Sequence, residues 1–192
     1  MDTTLNIFNK KTFQNILLPE QDFSDKEFID CTFKKCDFSG SNFSRSVFVD
    51  CLFIDCNLSN IKVNDCGFQN ASFENCKLTG ILFSEINTLL VNLIFKKCKI
   101  NLCNFSYLNM KNNKFIESII RETDFIRCDL TGAAFSDSDL LASKFQHSNL
   151  EKANFIGAIN YYIDPTQNKL KKAKFSQPSV LALLAGFEIE II

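Results

Sequence analysis

A large apolar residue recurs at every fifth position through most of this 192-residue chain. Phe23, Phe28, Phe33, Phe38, Phe43, Phe48, Phe53, Leu58, Val63, Phe68, Phe73, Leu78 and Phe83 follow one another at that spacing. After a slip of two residues the rhythm resumes at Leu90 and runs through Phe95, Ile100, Phe105, Met110, Phe115, Ile120, Phe125, Leu130, Phe135, Leu140, Phe145 and Leu150 to Phe155. With Phe8 and Phe13 upstream, the two registers take in nineteen of the 21 phenylalanines. A period of five fits neither the helical 3.6 nor the strand period of 2. The same side faces inward throughout only if the backbone turns a corner once per repeat. Repetition over this length marks a solenoid.

In an extended stretch the residue two before each apolar centre points to the same side as the centre, while its neighbours point outward. That flanking slot holds small residues almost throughout, among them Cys31, Cys36, Ser41, Ser46, Cys51, Cys56, Ala71, Ser118, Cys128 and Ala153, whereas Asp, Asn, Lys, Ser and Glu fill the outward positions. One bulky and one small residue per side suits a narrow, close-packed coil. From Phe95 to Phe155 the centres alternate between Phe and an aliphatic residue, a period of ten. Four sides per coil put like on like: Phe95, Phe115, Phe135 and Phe155 in one column, with Phe105, Phe125 and Phe145 in the opposite one. The expected architecture is all-β, a four-sided parallel coil of about 20 residues per turn, with some seven coils and a height of about 34 Å. The repeat region is expected to span 1–157, with a register break at 84–92, and a tail to span 158–192.

All nine cysteines occupy the small slot, two residues before a centre. This explains them as inward hydrophobes in a reducing compartment rather than as disulfides. They recur at five-residue spacings without histidine partners, unlike zinc ligands, and no metal or cofactor is expected. Stacked coils would bring Cys31 near Cys51, and Cys36 near Cys56 and Cys76. The single histidine, His147, falls on an outward corner; no nucleophile–base pair, phosphate loop or carboxylate dyad stands out, so the chain is not expected to be an enzyme. No apolar run reaches a membrane-spanning length, and Met1 to Lys11 lacks a signal peptide's apolar stretch. The expected setting is cytoplasmic.

Two irregularities interrupt the pattern. Ser84 to Asn92 shifts the register and is expected to project Glu85, Asn87 and Thr88 as a tolerated insertion or a contact loop. The tail leaves the repeat at Asp164-Pro165. Ser176 is expected to cap a short helix opened by Pro178 and Ser179 and closed by Gly186, with Phe187, Ile189 and Ile191 alternating with Glu188 and Glu190 in a final strand. The apolar residues Val180, Leu181, Leu183, Leu184, Phe187, Ile189 and Ile191 either cap the last coil or join two rods tail to tail as a homodimer.

The segments CDFSG (36–40), SNFSR (41–45), CNLSN (56–60), CDLTG (128–132), SNLEK (148–152) and ANFIG (153–157) resemble the pentapeptide repeat proteins, and the likeness covers roughly residues 13–157. The resemblance implies a right-handed quadrilateral β-helix. The stretch NYYIDPTQNKLKKAKFS with the tail after it looks like the end of the gyrase-protecting members, the albicidin-resistance and microcin-immunity types and their Qnr relatives. It implies a rod that dimerises through its C-terminus, imitates duplex DNA, and occupies the DNA-binding surface of DNA gyrase or topoisomerase IV. The long projecting loops of Qnr proteins are absent.

Charge bears on this expectation. The whole chain has a net charge of −1, but residues 20–90 hold 11 acids against 6 bases and residues 91–157 hold 7 against 9. Four-sided winding puts Asp22, Asp25, Asp65 and Glu85 on one side, interrupted by Arg45, and Glu27, Asp30 and Asp50 on the next; these seven are the candidate partner contacts. Lys169, Lys171, Lys172 and Lys174, like Lys34, Lys35, Lys96, Lys97 and Lys99, have no aromatic platform beside them, so direct nucleic-acid binding is not expected. Two functions stand open: a topoisomerase-binding DNA mimic, or a non-catalytic scaffold for another partner.

Overall fold

The computed structural model describes residues 6–187 and 189–190. The chain winds into a four-sided parallel β-solenoid of about eight turns. Short strands ladder strictly in parallel: Phe8↔Phe28↔Phe48↔Phe68 on side one, and Phe13↔Phe33↔Phe53↔Phe73↔Phe95↔Phe115 on side two. Side three stacks Leu78↔Ile100↔Ile120. Side four, built mostly of single bridges, carries Phe23, Phe43, Val63, Phe83, Phe105, Phe125 and Phe145. Partners lie 20 residues apart except across the slip, where Phe73 meets Phe95, and near the C-terminal end, where Phe145 meets Ile163. No helix among the described residues is long and apolar enough to cross a membrane.

Corners follow from backbone chemistry. The second residue after nearly every centre adopts a left-handed conformation, Glu85 after Phe83 being an exception; with Leu90 of the register break, 27 non-glycine residues and four glycines among those described do so, with φ between 49° and 74°. That conformation costs an ordinary L-residue about 1–2 kcal/mol, and Asn and Asp tolerate it best. Twelve of the 27 are Asn or Asp, which explains why the polar part of the repeat favours them. Most corners are also tied to the coil above: the Asp30 N–H donates to the Val49 carbonyl at 3.0 Å and the Asp50 N–H to that of Gln69 at 2.9 Å.

The core is a set of ring columns. On side two, Phe13, Phe33, Phe53, Phe73, Phe95, Phe115, Phe135, Phe155 and Phe175 stack with centroids 4.6–5.2 Å apart. Rings on opposing sides meet edge to face, as Phe115 does with Phe125 at 5.5 Å and 88°. Offset stacks and edge contacts are the geometries that aromatic quadrupoles favour. The coil thus extends beyond residue 157: Asn154↔Lys174 and Phe155↔Phe175 pair, and Asn149 bridges Lys169. Nine stacked phenylalanines make eight rises, about 38 Å at strand spacing, one coil more than the repeat count suggests.

Small slots have a polar duty as well as a packing one. Ser148 donates its hydroxyl to the Phe125 carbonyl at 2.6 Å, Ser138 to that of Phe115 at 2.9 Å, and the Cys128 thiol points at the Phe105 carbonyl at 3.1 Å. In every case the acceptor lies 23 residues earlier, in the coil below. Cysteine is therefore serine's softer substitute here. All nine thiols are free and buried, and burial pushes those of Cys51, Cys103 and Cys128 up to about 12. On side three the two-residue slip aligns Cys98 above Cys76, so Cys36, Cys56, Cys76 and Cys98 occupy four successive levels.

The C-terminal cap differs from its sequence-based reading. The helix over Ser179–Phe187 is of the tighter 3-10 type, and Gly186 lies inside it rather than closing it. Ser176 supplies its carbonyl to the Val180 N–H, while its hydroxyl accepts from the Gly157 N–H and so ties the tail to the repeat instead of capping the helix. Ile189 and Glu190 are not in a strand; Glu188 and Ile191 lie outside the described residues.

Phe115→Ala removes a fully buried ring from the longest column and is expected to cost about 3–5 kcal/mol in urea unfolding. Cys128→Ser, which lets a hydroxyl reach the same carbonyl, is expected to cost no more than about 1 kcal/mol. Similar losses for the two variants would contradict this packing.

Candidate partner-binding surface

Winding brings the predicted acids onto two adjoining sides. Asp22 stands at mid-side on side four, with Asp25, Asp65 and Glu85 along the corner that follows; Glu27 lies on side one, with Asp30 and Asp50 on its corner. All are exposed except Glu27, which is half-buried.

Asparagines donate to four of these acids without cancelling their charge. Asn42 donates to Asp22 at 3.1 Å, Asn70 to Asp50 at 2.6 Å, Asn87 to Asp65 at 2.9 Å and Asn64 to Glu85 at 2.6 Å, each from another level of the ladder. An amide bridge relieves the repulsion between stacked carboxylates and leaves the negative charge in place. Hydrogen bonds from Ser24, and then from Asn42, hold the Asp22 carboxyl below its ordinary range. Asp25 is different. The Arg45 guanidinium grips it through two hydrogen bonds of 2.7 and 2.6 Å and lowers its pKa, so its charge is locally neutralised. Higher on this corner the acids give way to Tyr107, Arg127 and His147, with the Arg127 guanidinium 5.9 Å from the Tyr107 ring centroid. His147 sits there exposed.

The register break corrects one core assignment. Leu90, expected inside as the first centre of the second register, is 68% exposed in left-handed backbone, and Leu89 beside it is 65% exposed. Bulk moves instead into slots normally held by small residues: Ile86, Leu93 and Leu108 are all buried around the missing centre between Phe68 and Met110. Glu85 stays at its corner and Asn87 stays in the ladder opposite Gly67, accepting the Leu89 N–H in a tight turn. The excursion thus presents Thr88, Leu89 and Leu90, not Glu85 and Asn87, beside the acidic sides. One cost is visible above it. Asn113 is fully buried, and neither end of its amide has a hydrogen-bond partner. The carbonyl 23 residues earlier, which a slot residue normally reaches, belongs to Leu90 and has left with the excursion.

Of the predicted tail contacts, Leu183 packs on the last coil with Ala182, and Val180 is half-buried; Leu181, Leu184, Phe187 and Ile189 remain exposed. Ile191 lies outside the described residues.

A sequence model of a pentapeptide repeat region matches residues 26–93, and one of pentapeptide repeats matches 94–132 and 123–159. The chain is a pentapeptide repeat protein. No curated protein matches it in sequence. Among solved structures, a trypsin-treated variant of QnrB1, a plasmid-mediated fluoroquinolone resistance protein, is 18% identical with a TM-score of 0.53, over 97% of this chain and 98% of that one. HetL, a pentapeptide repeat protein involved in heterocyst differentiation regulation in the cyanobacterium Nostoc, is also 18% identical, with a TM-score of 0.58 over 88% and 74%. At such identity the likeness is one of fold. Sequence periodicity missed the exposed Leu89–Leu90 pair and the Tyr107–Arg127 contact of this pentapeptide repeat protein; counting 22 residues across the slip would have aligned Glu85 with Tyr107.

Leu90→Asn, which suits left-handed backbone, is expected to stabilise the protein by up to about 1 kcal/mol. Leu93→Ala should destabilise it by about 2–5 kcal/mol. Thermal unfolding of the two variants distinguishes this arrangement from one with Leu90 in the core.

Proposed function

We propose that this rod binds a type II topoisomerase, DNA gyrase or topoisomerase IV, by laying the acidic sides of its N-terminal half into a basic groove that otherwise holds DNA, and thereby modulates the enzyme or protects it from inhibitors. The observation that carries the reading is the set of carboxylates on two adjoining sides, four of them accepting asparagine hydrogen bonds, held at coil spacing on a stiff scaffold. The fold shared with QnrB1, whose role is fluoroquinolone resistance, supports it. In a gyrase supercoiling assay with and without a fluoroquinolone, micromolar protein is expected to inhibit the enzyme or restore drug-blocked activity. Asp22→Lys/Asp65→Lys/Glu85→Lys should abolish the effect. No effect from the native protein would remove the reading.

One observation favours a second reading, a non-catalytic scaffold for another partner. Duplex DNA carries about 20 charges per 34 Å, whereas residues 20–90 have a net charge of −5 and Asp25 is paired with Arg45. Affinity capture that returns a partner other than topoisomerase subunits selects this alternative.

The tail is proposed to pair two rods end to end through Leu181, Leu184, Phe187 and Ile189, whose apolar surface exceeds what a cap needs. Solution scattering is expected to show a particle about twice the monomer length, and Leu181→Glu/Leu184→Glu to halve it. A monomer at micromolar concentration in the native protein would contradict pairing.

A further inference from the structure

The corner between sides two and three, diagonally across from the acidic corner, carries cations that the proposed docking does not use. Strand Lys77–Thr79 pairs in parallel with Lys99–Asn101, which sets Lys77 directly beneath Lys99. Both are exposed. Like charges directly opposed on a ladder destabilise it, and elsewhere on this corner such charges are matched. Lys96 stands in register with Glu74, and Lys97 lies 3.6 Å from Glu117. Among the described residues, neither Lys77 nor Lys99 has a carboxylate within ion-pair distance. Their row continues with Asn57 below and Ile119 above, so no acid follows at the next level either.

A cleft of about 190 Å³ opens here, lined by Asn75, Cys76, Lys77, Lys97 and Lys99. At roughly 30 Å³ per water it has room for about six waters, enough for a tetrahedral oxyanion with part of its hydration shell. The Cys76 thiol points at the Phe53 and Glu74 carbonyls and the Asn75 amide donates to Asp55, which leaves the Lys77 and Lys99 ammonium groups as the available donors, with Lys97 shared with Glu117.

We propose that Lys77, Lys97 and Lys99 form a binding site for a phosphoryl oxyanion, either free or carried on a nucleic-acid backbone. A phosphoryl group offers three oxygens and up to two charges to the stacked Lys77 and Lys99 ammonium groups and to Lys97, which it would share with Glu117. A carboxylate, with two oxygens and one charge, leaves the stacked lysine pair only partly neutralised. The site lies away from the acidic sides, so its occupancy is independent of any topoisomerase contact.

The test titrates the full-length protein at low ionic strength with inorganic phosphate, pyrophosphate and a short DNA duplex, followed by calorimetry and thermal unfolding. Saturable binding that raises Tm is expected, with a loss of about tenfold or more in Lys77→Gln/Lys99→Gln. That variant should fold at least as stably as the native protein in anion-free buffer, because its stacked charges are gone. Lys34→Gln/Lys35→Gln, lower on the same corner, should bind as the native protein does. Duplex binding tighter than pyrophosphate, and lost in the Lys77/Lys99 variant, assigns the phosphoryl group to a nucleic-acid backbone; the opposite order assigns it to a small anion. No saturable binding of any of the three, binding unchanged in the Lys77/Lys99 variant, or a lower Tm of that variant without anion would overturn the proposal.

Discussion

A backbone that returns above itself every 20 residues places each side chain about 4.8 Å from its counterpart in the next coil, and everything else in this molecule follows from that enforced neighbourhood. Inside, ring lies on ring through nine levels of side two. Thiol lies over thiol on side three. On the surface the same rule is less forgiving, because a repeated acid or base meets its own sign. In places the chain answers with an amide above a carboxylate, as Asn70 lies above Asp50, and with Arg45 above Asp25. Lys77 under Lys99 is one place where neither answer is used, and Asp30 under Asp50 is another.

Corners are the other half of the bargain. Twenty-seven side-chain-bearing residues accept a left-handed backbone, a conformational cost that only a dense interior and a continuous ladder can offset. Most strained corners hand their N–H to the coil above, so strain and cohesion sit in the same residue. Solenoid stability is then a sum over nearest-neighbour coils, and a local defect such as the unpartnered Asn113 is tolerated because its neighbours on both sides are intact.

The ring columns, the small slots and the four sides were all legible in the sequence, because a period of five admits few geometries. What periodicity could not convey was how two extra residues are absorbed. Leu90 keeps perfect spacing with Phe95 and Met110 yet points to water, since Ile86, Leu93 and Leu108 have already filled the space beneath it. Phe175 was hidden for the opposite reason: Asp164-Pro165 looks like an exit, but the backbone comes round once more and sets it on Phe155. The acidic sides were readable from spacing within the first register. The lysine pair was not, because its 22-residue separation depends on the slip, whereas the Tyr107–Arg127 contact follows the ordinary spacing of 20.

Growth by whole turns leaves every surface facing the way it did, whereas an extra five residues would swing all that follows through a quarter circle. By folding its surplus out through Thr88, Leu89 and Leu90, the register break keeps the upper coils in phase with the lower ones. Angular alignment along the axis is thereby preserved across the slip, and a partner that contacts both halves meets sides that remain in register.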